Sequence, residues 1–106
     1  MRLVDCPVRT SLDVIEGKWK PVILYHLMGG KKRFGQLRRL IPEASQKVLT
    51  QQLRELERDG ILVRTVFPTS AMRVEYSFTR EGESLRPAFT ALCEWGRARQ
   101  VALSRL

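Results

Sequence analysis

One run constrains this chain more than any other: Ser45-Gln46-Lys47-Val48-Leu49-Thr50-Gln51-Gln52-Leu53-Arg54-Glu55-Leu56-Glu57-Arg58-Asp59-Gly60. Its residues divide into two stripes that cannot share an environment. Leu49, Leu53 and Leu56 recur at i, i+4 and i+7, the spacing of one narrow apolar helix face. Lys47, Thr50, Gln51 and Arg54 recur at i, i+3, i+4 and i+7 on roughly the opposite side, with no acid among them. Cationic and amide side chains in that array are the types that pair with base edges and reach phosphates. Ser45 is placed to cap the helix, because its hydroxyl can accept from an orphan backbone N–H. Gly60 is placed to end it in the left-handed conformation. The pattern predicts a helix from Ser45 to Arg58 with one face in a core and the other open.

The flanking sequence gives that helix a context. Phe34 to Leu40 reads as a short helix with Phe34, Leu37, Leu40 and Ile41 inward and Arg38 and Arg39 outward. Pro42 stops it, and Pro42-Glu43-Ala44 makes a tight connection to Ser45. Two short helices joined this way, the second bearing a basic polar face, form a helix-turn-helix pattern over about 34–59. After Gly60 the apolar period changes from 3.6 to 2. Ile61, Val63, Thr65 and Phe67 alternate with Leu62, Arg64 and Val66. Pro68 to Ala71 reads as a turn. Met72, Val74, Tyr76 and Phe78 then alternate with Arg73, Glu75, Ser77 and Thr79. The result is a β-hairpin wing over about 61–78. A long helix is expected from Thr79, its N-cap, to about Arg105, kinked at Pro87. Upstream, Cys6-Pro7 opens a helix with Val8, Leu12 and Ile15 as its stripe and Gly17 at its end. A second helix runs from about Lys18 to Met28, with Trp19, Val22, Ile23 and Leu27 inward, and Gly29-Gly30 stop it. Lys31-Lys32-Arg33 reads as a basic loop. The fold class is α+β, mainly α: a winged helix-turn-helix occupying residues 1–106 as one domain.

Composition narrows the partners. A formal charge of +8 on 106 residues favours polyanions, nucleic acid above all. No apolar run approaches the length of a membrane span, and the first residues lack the apolar region of a signal peptide, so a cytoplasmic protein without a membrane partner is expected. Cys6, Cys93 and His26 lie far apart in sequence and make neither a disulfide framework nor a metal constellation. Glu43, Glu55, Glu57 and Asp59 fall on turns and helix surface rather than as a facing pair. There is no nucleophile–base pattern and no glycine-rich phosphate loop. Neither catalysis nor a cofactor is expected.

In these features the chain resembles the HxlR-type winged helix-turn-helix transcriptional regulators of bacteria and archaea. The resemblance runs through Cys6-Pro7, Ile15-x-Gly17-Lys18-Trp19, Ile23-Leu24, Arg33-Phe34-x-x-Leu37, Ser45-x-Lys47-x-Leu49-Thr50-x-x-Leu53-x-x-Leu56-x-x-x-Gly60, Val74-Glu75-Tyr76, Thr79-x-x-Gly82 and Trp95-Gly96, nearly the whole chain. It departs where the family usually has prolines before the Val-Glu-Tyr stretch; Ala71 and Met72 stand there. The resemblance implies a homodimer, paired mainly through the first and last helices, on a roughly palindromic DNA operator. It also implies that some members sense electrophiles or oxidants through the cysteine of the Cys-Pro pair.

These expectations can be placed on residues. Ser45, Gln46, Lys47, Thr50, Gln51 and Arg54 are the candidates for the major groove, with Lys47 suited to a phosphate. Arg38, Arg39 and the Lys31, Lys32, Arg33 run would flank the groove, or serve only solubility. Arg73 points away from the apolar face of its strand and has two uses: a minor-groove contact, or an ion pair with Glu75, which is the preferred one. Cys6 precedes a helix, where partial positive charge favours a thiolate, and Arg9 nearby would push the same way. It is either a sensing thiol for a small electrophile or oxidant, or a half-buried cap. Cys93 reads as packing, with a resolving thiol as the alternative. The dimer stripes are Leu3, Val4, Val8 and Leu12 on the N-terminal side and Leu85, Phe89, Leu92 and Trp95 on the last helix. The rival function is a protein-interaction module on the same fold, without an operator of its own.

Overall fold

The computed structural model describes residues 5–69 and 73–106. Among these residues five helices and three strands follow in the order α1 (Pro7–Ile15), α2 (Lys20–Leu27), β1 (Lys32–Arg33), α3 (Phe34–Leu40), α4 (Gln46–Arg58), β2 (Leu62–Phe67), β3 (Arg73–Phe78) and α5 (Arg80–Ser104). The sheet is antiparallel with strand order β1-β3-β2, so the last strand lies in the middle. The core is a single cluster in which Ile23, Leu24, Leu27, Leu37, Ile41, Leu49, Leu53, Leu56 and Leu62 are almost wholly shielded from water. It joins α2, α3 and α4 to the base of the hairpin, and Phe89 of α5 closes it. No helix among the described residues is long and apolar enough to cross a membrane.

Four local expectations need correction. Lys32 and Arg33 do not form a loop. They pair with Tyr76 and Glu75 as a third strand, whose two residues are too few to show a period in sequence. Leu40 is exposed rather than inward. Phe34, Leu37 and Ile41 already occupy one side of α3, and at 3.6 residues per turn Leu40 falls about a quarter of a turn from its centre. The second helix starts at Lys20, not Lys18, and buries Leu24 and Lys20 as well as Ile23 and Leu27, leaving Trp19 and Val22 half-buried at its edge. Phe89 belongs to the protomer's own core, 5% exposed, whereas Leu92 and Trp95 on the same helix are open. The long helix itself continues through Pro87. The expectations for Leu3 and Val4 and for the wing tip at Ala71 and Met72 lie outside the described residues.

Thr79 ties the hairpin to α5. Its hydroxyl accepts from the Gly82 N–H at 3.0 Å, capping the helix, and lies within donating distance of the Gly60 and Ile61 carbonyls. Its own N–H donates to Ile61 O at 3.0 Å. Gly60 reaches this junction with φ +77°, the left-handed turn that ends α4. Gly82 has a different reason to be glycine: a Cβ there would sit 2.2 Å from the Ile61 carbonyl oxygen. Arg86, one turn further, donates to the Met28 carbonyl at 2.8 Å and so satisfies an orphan acceptor at the end of α2. The start of α5 is thus bolted to both halves of the molecule.

This junction predicts an order of effects in thermal melts. Thr79→Ala loses a cap and costs about 1 kcal/mol, roughly 5 °C. Gly82→Ala forces backbones apart and costs more. Equal melting temperatures for Gly82→Ala and the parent protein would show that α5 is not held against Ile61.

Candidate nucleic-acid interface

The structure starts α4 where the sequence places it. Ser45 is the N-cap, in extended conformation, and its hydroxyl accepts from Val48 N–H at 3.1 Å. Leu49, Leu53 and Leu56 are fully buried. Because those three define one side of the helix, the opposite side is forced outward. Gln46, Lys47, Gln51 and Arg54 are exposed there, and Thr50 is half-buried. Ser45 is exposed at the entrance. Arg38, on α3, donates to the Gln46 side-chain oxygen at 3.2 Å, so the two helices of the pair share a hydrogen bond on their open side. Arg39 is exposed beside it.

Between α4, the start of α3 and the hairpin lies a cleft of about 690 Å³. Arg33, Arg54, Arg64 and Arg73 line it, with Thr50 and Glu57, over a floor that includes Phe34 and Tyr76. This concave strip of guanidinium groups is continuous with the outward face of α4. Guanidinium donors in a fixed fork match phosphate oxygens bidentately. Arg73 is held rather than free. Its Nε lies 3.3 Å from a carboxylate oxygen of Glu75, and its guanidinium stacks over the Phe67 ring at 4.3 Å. The expected pairing with Glu75 is present, and Arg73 lines the cleft as well. Lys31 approaches the same carboxylate at 3.4 Å from the other side. Arg33 is exposed and Lys32 half-buried on the β1 edge.

Three basic residues of this region escaped the sequence reading. Arg64 on β2 pairs with Tyr76, on the same sheet face as the buried Leu62, and so enters the cleft; the period-2 pattern groups it with Leu62. Arg58 continues the exposed face one turn beyond Arg54. Lys20 gave no signal, since it precedes Pro21 in an apolar helix. Its side chain is buried beneath α4, with Nζ 2.9 Å from Glu55 Oε2. Glu55, an expected surface acid, is one half of a cross-helix ion pair. The Lys20 contact, with smaller help from Arg58 and Gln51, holds its carboxyl below the ordinary glutamate range against the opposing effect of burial.

Cys6 is the N-cap of α1 and is half-buried, with no side-chain capping bond. The Arg9 guanidinium pairs with Asp13 at 3.1 Å and with Glu16. Cys93 lines a small apolar pocket of about 360 Å³ with Ile15, Val22, Tyr25, Phe89 and Leu92. Among the described residues no three of His, Cys, Asp and Glu come together as a metal site would require.

A helix seated on a buried leucine stripe, presenting amides and cations beside an arginine-lined cleft and an antiparallel hairpin, defines a winged helix-turn-helix protein. The chain belongs to the HxlR-like helix-turn-helix family, whose model matches residues 14–102. It is 48% identical over 101 residues to the uncharacterised HTH-type transcriptional regulator YdeP of Bacillus subtilis, covering 95% of this chain and 79% of that one. Among solved structures it is similar to the redox regulator HypR. The reduced form gives a TM-score of 0.89 at 46% identity, with 95% of this chain and 100% of that chain covered. The oxidised form gives 0.83 at 49%, covering 88% and 96%.

The Glu55 pair has a pH signature. A carboxylate whose folded pKa is lowered stabilises the fold above its unfolded pKa, and that contribution fades as pH falls through the folded value. The stability gap between the parent protein and Glu55→Gln should therefore be full above about pH 5 and should close on further acidification. Denaturant titrations at pH 7 and pH 3.5 measure it; a gap that widens in acid would rule the pair out as its source.

Proposed function

We propose that this transcription regulator binds double-stranded DNA as a homodimer, each protomer laying α4 into the major groove of one half of a roughly palindromic operator. The observation that carries the reading is the α4 face itself. Burial of Leu49, Leu53 and Leu56 turns Lys47, Thr50, Gln51 and Arg54 outward as one continuous surface. Arginine there pairs bidentately with guanine and glutamine with adenine, while lysine positions the helix on phosphate. Arg38 and Arg39 on α3, and Lys32, Arg33 and Arg73 near the cleft, flank that surface and suit the sugar-phosphate strands. The regulator works in the cytoplasm, by binding rather than catalysis, and represses by occupying its site.

The exposed apolar side chains support the dimer. Val8 and Leu12 on α1 and Leu92 and Trp95 on α5 stand in water in the isolated protomer, with Trp95 70% exposed. An exposed tryptophan of that degree is a typical interface anchor. Leu85 is half-buried against the core and Phe89 lies within it, so they back this surface rather than form it. Trp95→Asp should convert the dimer into folded monomer at micromolar concentration in analytical ultracentrifugation. An unchanged sedimentation coefficient would place the interface elsewhere.

Cys6 is proposed as the signal receiver. Peroxide would be reduced to water as the thiolate becomes a sulfenic acid at the N-terminus of α1, one of the helices bearing the dimer stripes. The support is the half-buried cap position and the likeness to a redox regulator.

A competition gel shift tests the whole reading. The probe is the DNA upstream of the coding region, with excess mixed-sequence competitor and with reduced and peroxide-treated protein in parallel. A specific shift that changes on oxidation, and no longer does so in Cys6→Ser, is expected. Arg54→Ala should cost about 1–3 kcal/mol and relax discrimination at one base position. Binding that the competitor abolishes completely would favour an interaction module instead.

A further inference from the structure

The outward face of α4 carries a carboxylate. Glu55 lines the same surface as Lys47, Gln51, Arg54 and Arg58. A free carboxylate at that place would face phosphates, and two like charges a few ångströms apart repel by about 1 kcal/mol in water and more beside a protein wall. The structure supplies a partner from beneath. Lys20, in the first turn of α2, reaches Glu55 at 2.9 Å with its own side chain only 9% exposed. An ammonium group resists leaving water, so a lysine in this seat needs a reason beyond packing.

The neighbouring contact fixes the alignment. A Cβ on Gly17 would lie 2.9 Å from Gln52 Oε1, so the turn before α2 lies against α4 nearly one helical turn before Glu55. Gln52 and Glu55 therefore form a flank of α4 that rests on the start of α2. On α4 itself, Gln51 and Arg58 border the carboxylate from the open side.

We propose that Lys20 is a positioning residue for DNA binding: from beneath α4 it holds the Glu55 carboxylate against the protein body and cancels its charge, so that the stretch of the face formed by Lys47, Gln51, Arg54 and Arg58 meets DNA without an uncompensated carboxylate. The proposal rests on the DNA-binding reading above. It assigns to a buried side chain, remote from any groove, a part of the interface's electrostatics. Because the effect is one of charge, it acts on every DNA sequence alike.

The test titrates the parent protein, Lys20→Met and the double variant Lys20→Met/Glu55→Gln against a labelled mixed-sequence duplex at low salt. Melting curves establish that each protein is folded at the assay temperature. Lys20→Met should lose about five- to tenfold in affinity, because it leaves one uncompensated carboxylate on the face. The double variant, with neutral side chains of similar length, should return to within about twofold of the parent. A folded Lys20→Met protein with parental affinity overturns the proposal and leaves the pair as a staple between helices. If Lys20→Met does not fold, Lys20→Gln and Lys20→Gln/Glu55→Gln take the place of the two variants and are judged by the same losses and recoveries. A parent protein that fails to bind the duplex overturns the DNA-binding reading together with the proposal, whereas parental binding with an indifferent Lys20→Met removes the proposal alone.

Discussion

Everything at the surface of this protein depends on the rotation of one helix, and that rotation is set by burial of Leu49, Leu53 and Leu56. Each leucine removed from water contributes about 1.5–3 kcal/mol. A turn of α4 about its axis by even one residue would expose part of that stripe and bury Lys47 or Arg54. No other contact of the helix competes on that scale. The ion pair with Lys20 and the hydrogen bond from Arg38 to Gln46 refine an orientation that the apolar stripe has already chosen.

The second constraint is the junction at Thr79, where the end of α4, the start of β2 and the start of α5 meet within a few residues. Gly60, Ile61, Thr79 and Gly82 exchange hydrogen bonds there at close approach. Arg86 adds a link to the end of α2. The wing and the long helix consequently share a base with α4. A displacement of α5 has a short path to α4 through Gly60 and Ile61. Cys6 caps α1, and Trp95 lies exposed on α5. This arrangement is what a regulator needs if a change at the dimer surface is to alter the spacing of two DNA-reading helices.

Much of this was legible in the sequence because the strong signals agreed. The leucine stripe, the Ser45 cap, Gly60 and the switch from period 3.6 to period 2 each specify the same local structure, and the sheet and helices follow them. The misses share a physical cause. Lys32 and Arg33 become a strand only because β3 offers an unpaired edge, which is a tertiary fact. Leu40 depends on an angular offset within a seven-residue helix, too short for periodicity to decide. Lys20 and Glu55 are thirty-five residues apart and meet only after α2 packs on α4. Phe89 looked like one member of an exposed stripe. Burial separates it from Leu92 and Trp95 because the core closes over α5 only along its first half. The candidate site was legible as a helix face; the Lys20–Glu55 pair beneath it was not.

α4 and the cleft beside it are the proposed surface for DNA. The most direct measurement is a chemical-shift titration of isotope-labelled protein with a duplex from upstream of its coding region. Shifts are predicted to concentrate at Lys47, Thr50, Gln51 and Arg54 and at Arg64 on the hairpin, with the second half of α5 little changed. Shifts confined to α1 and α5, with α4 silent, would contradict it.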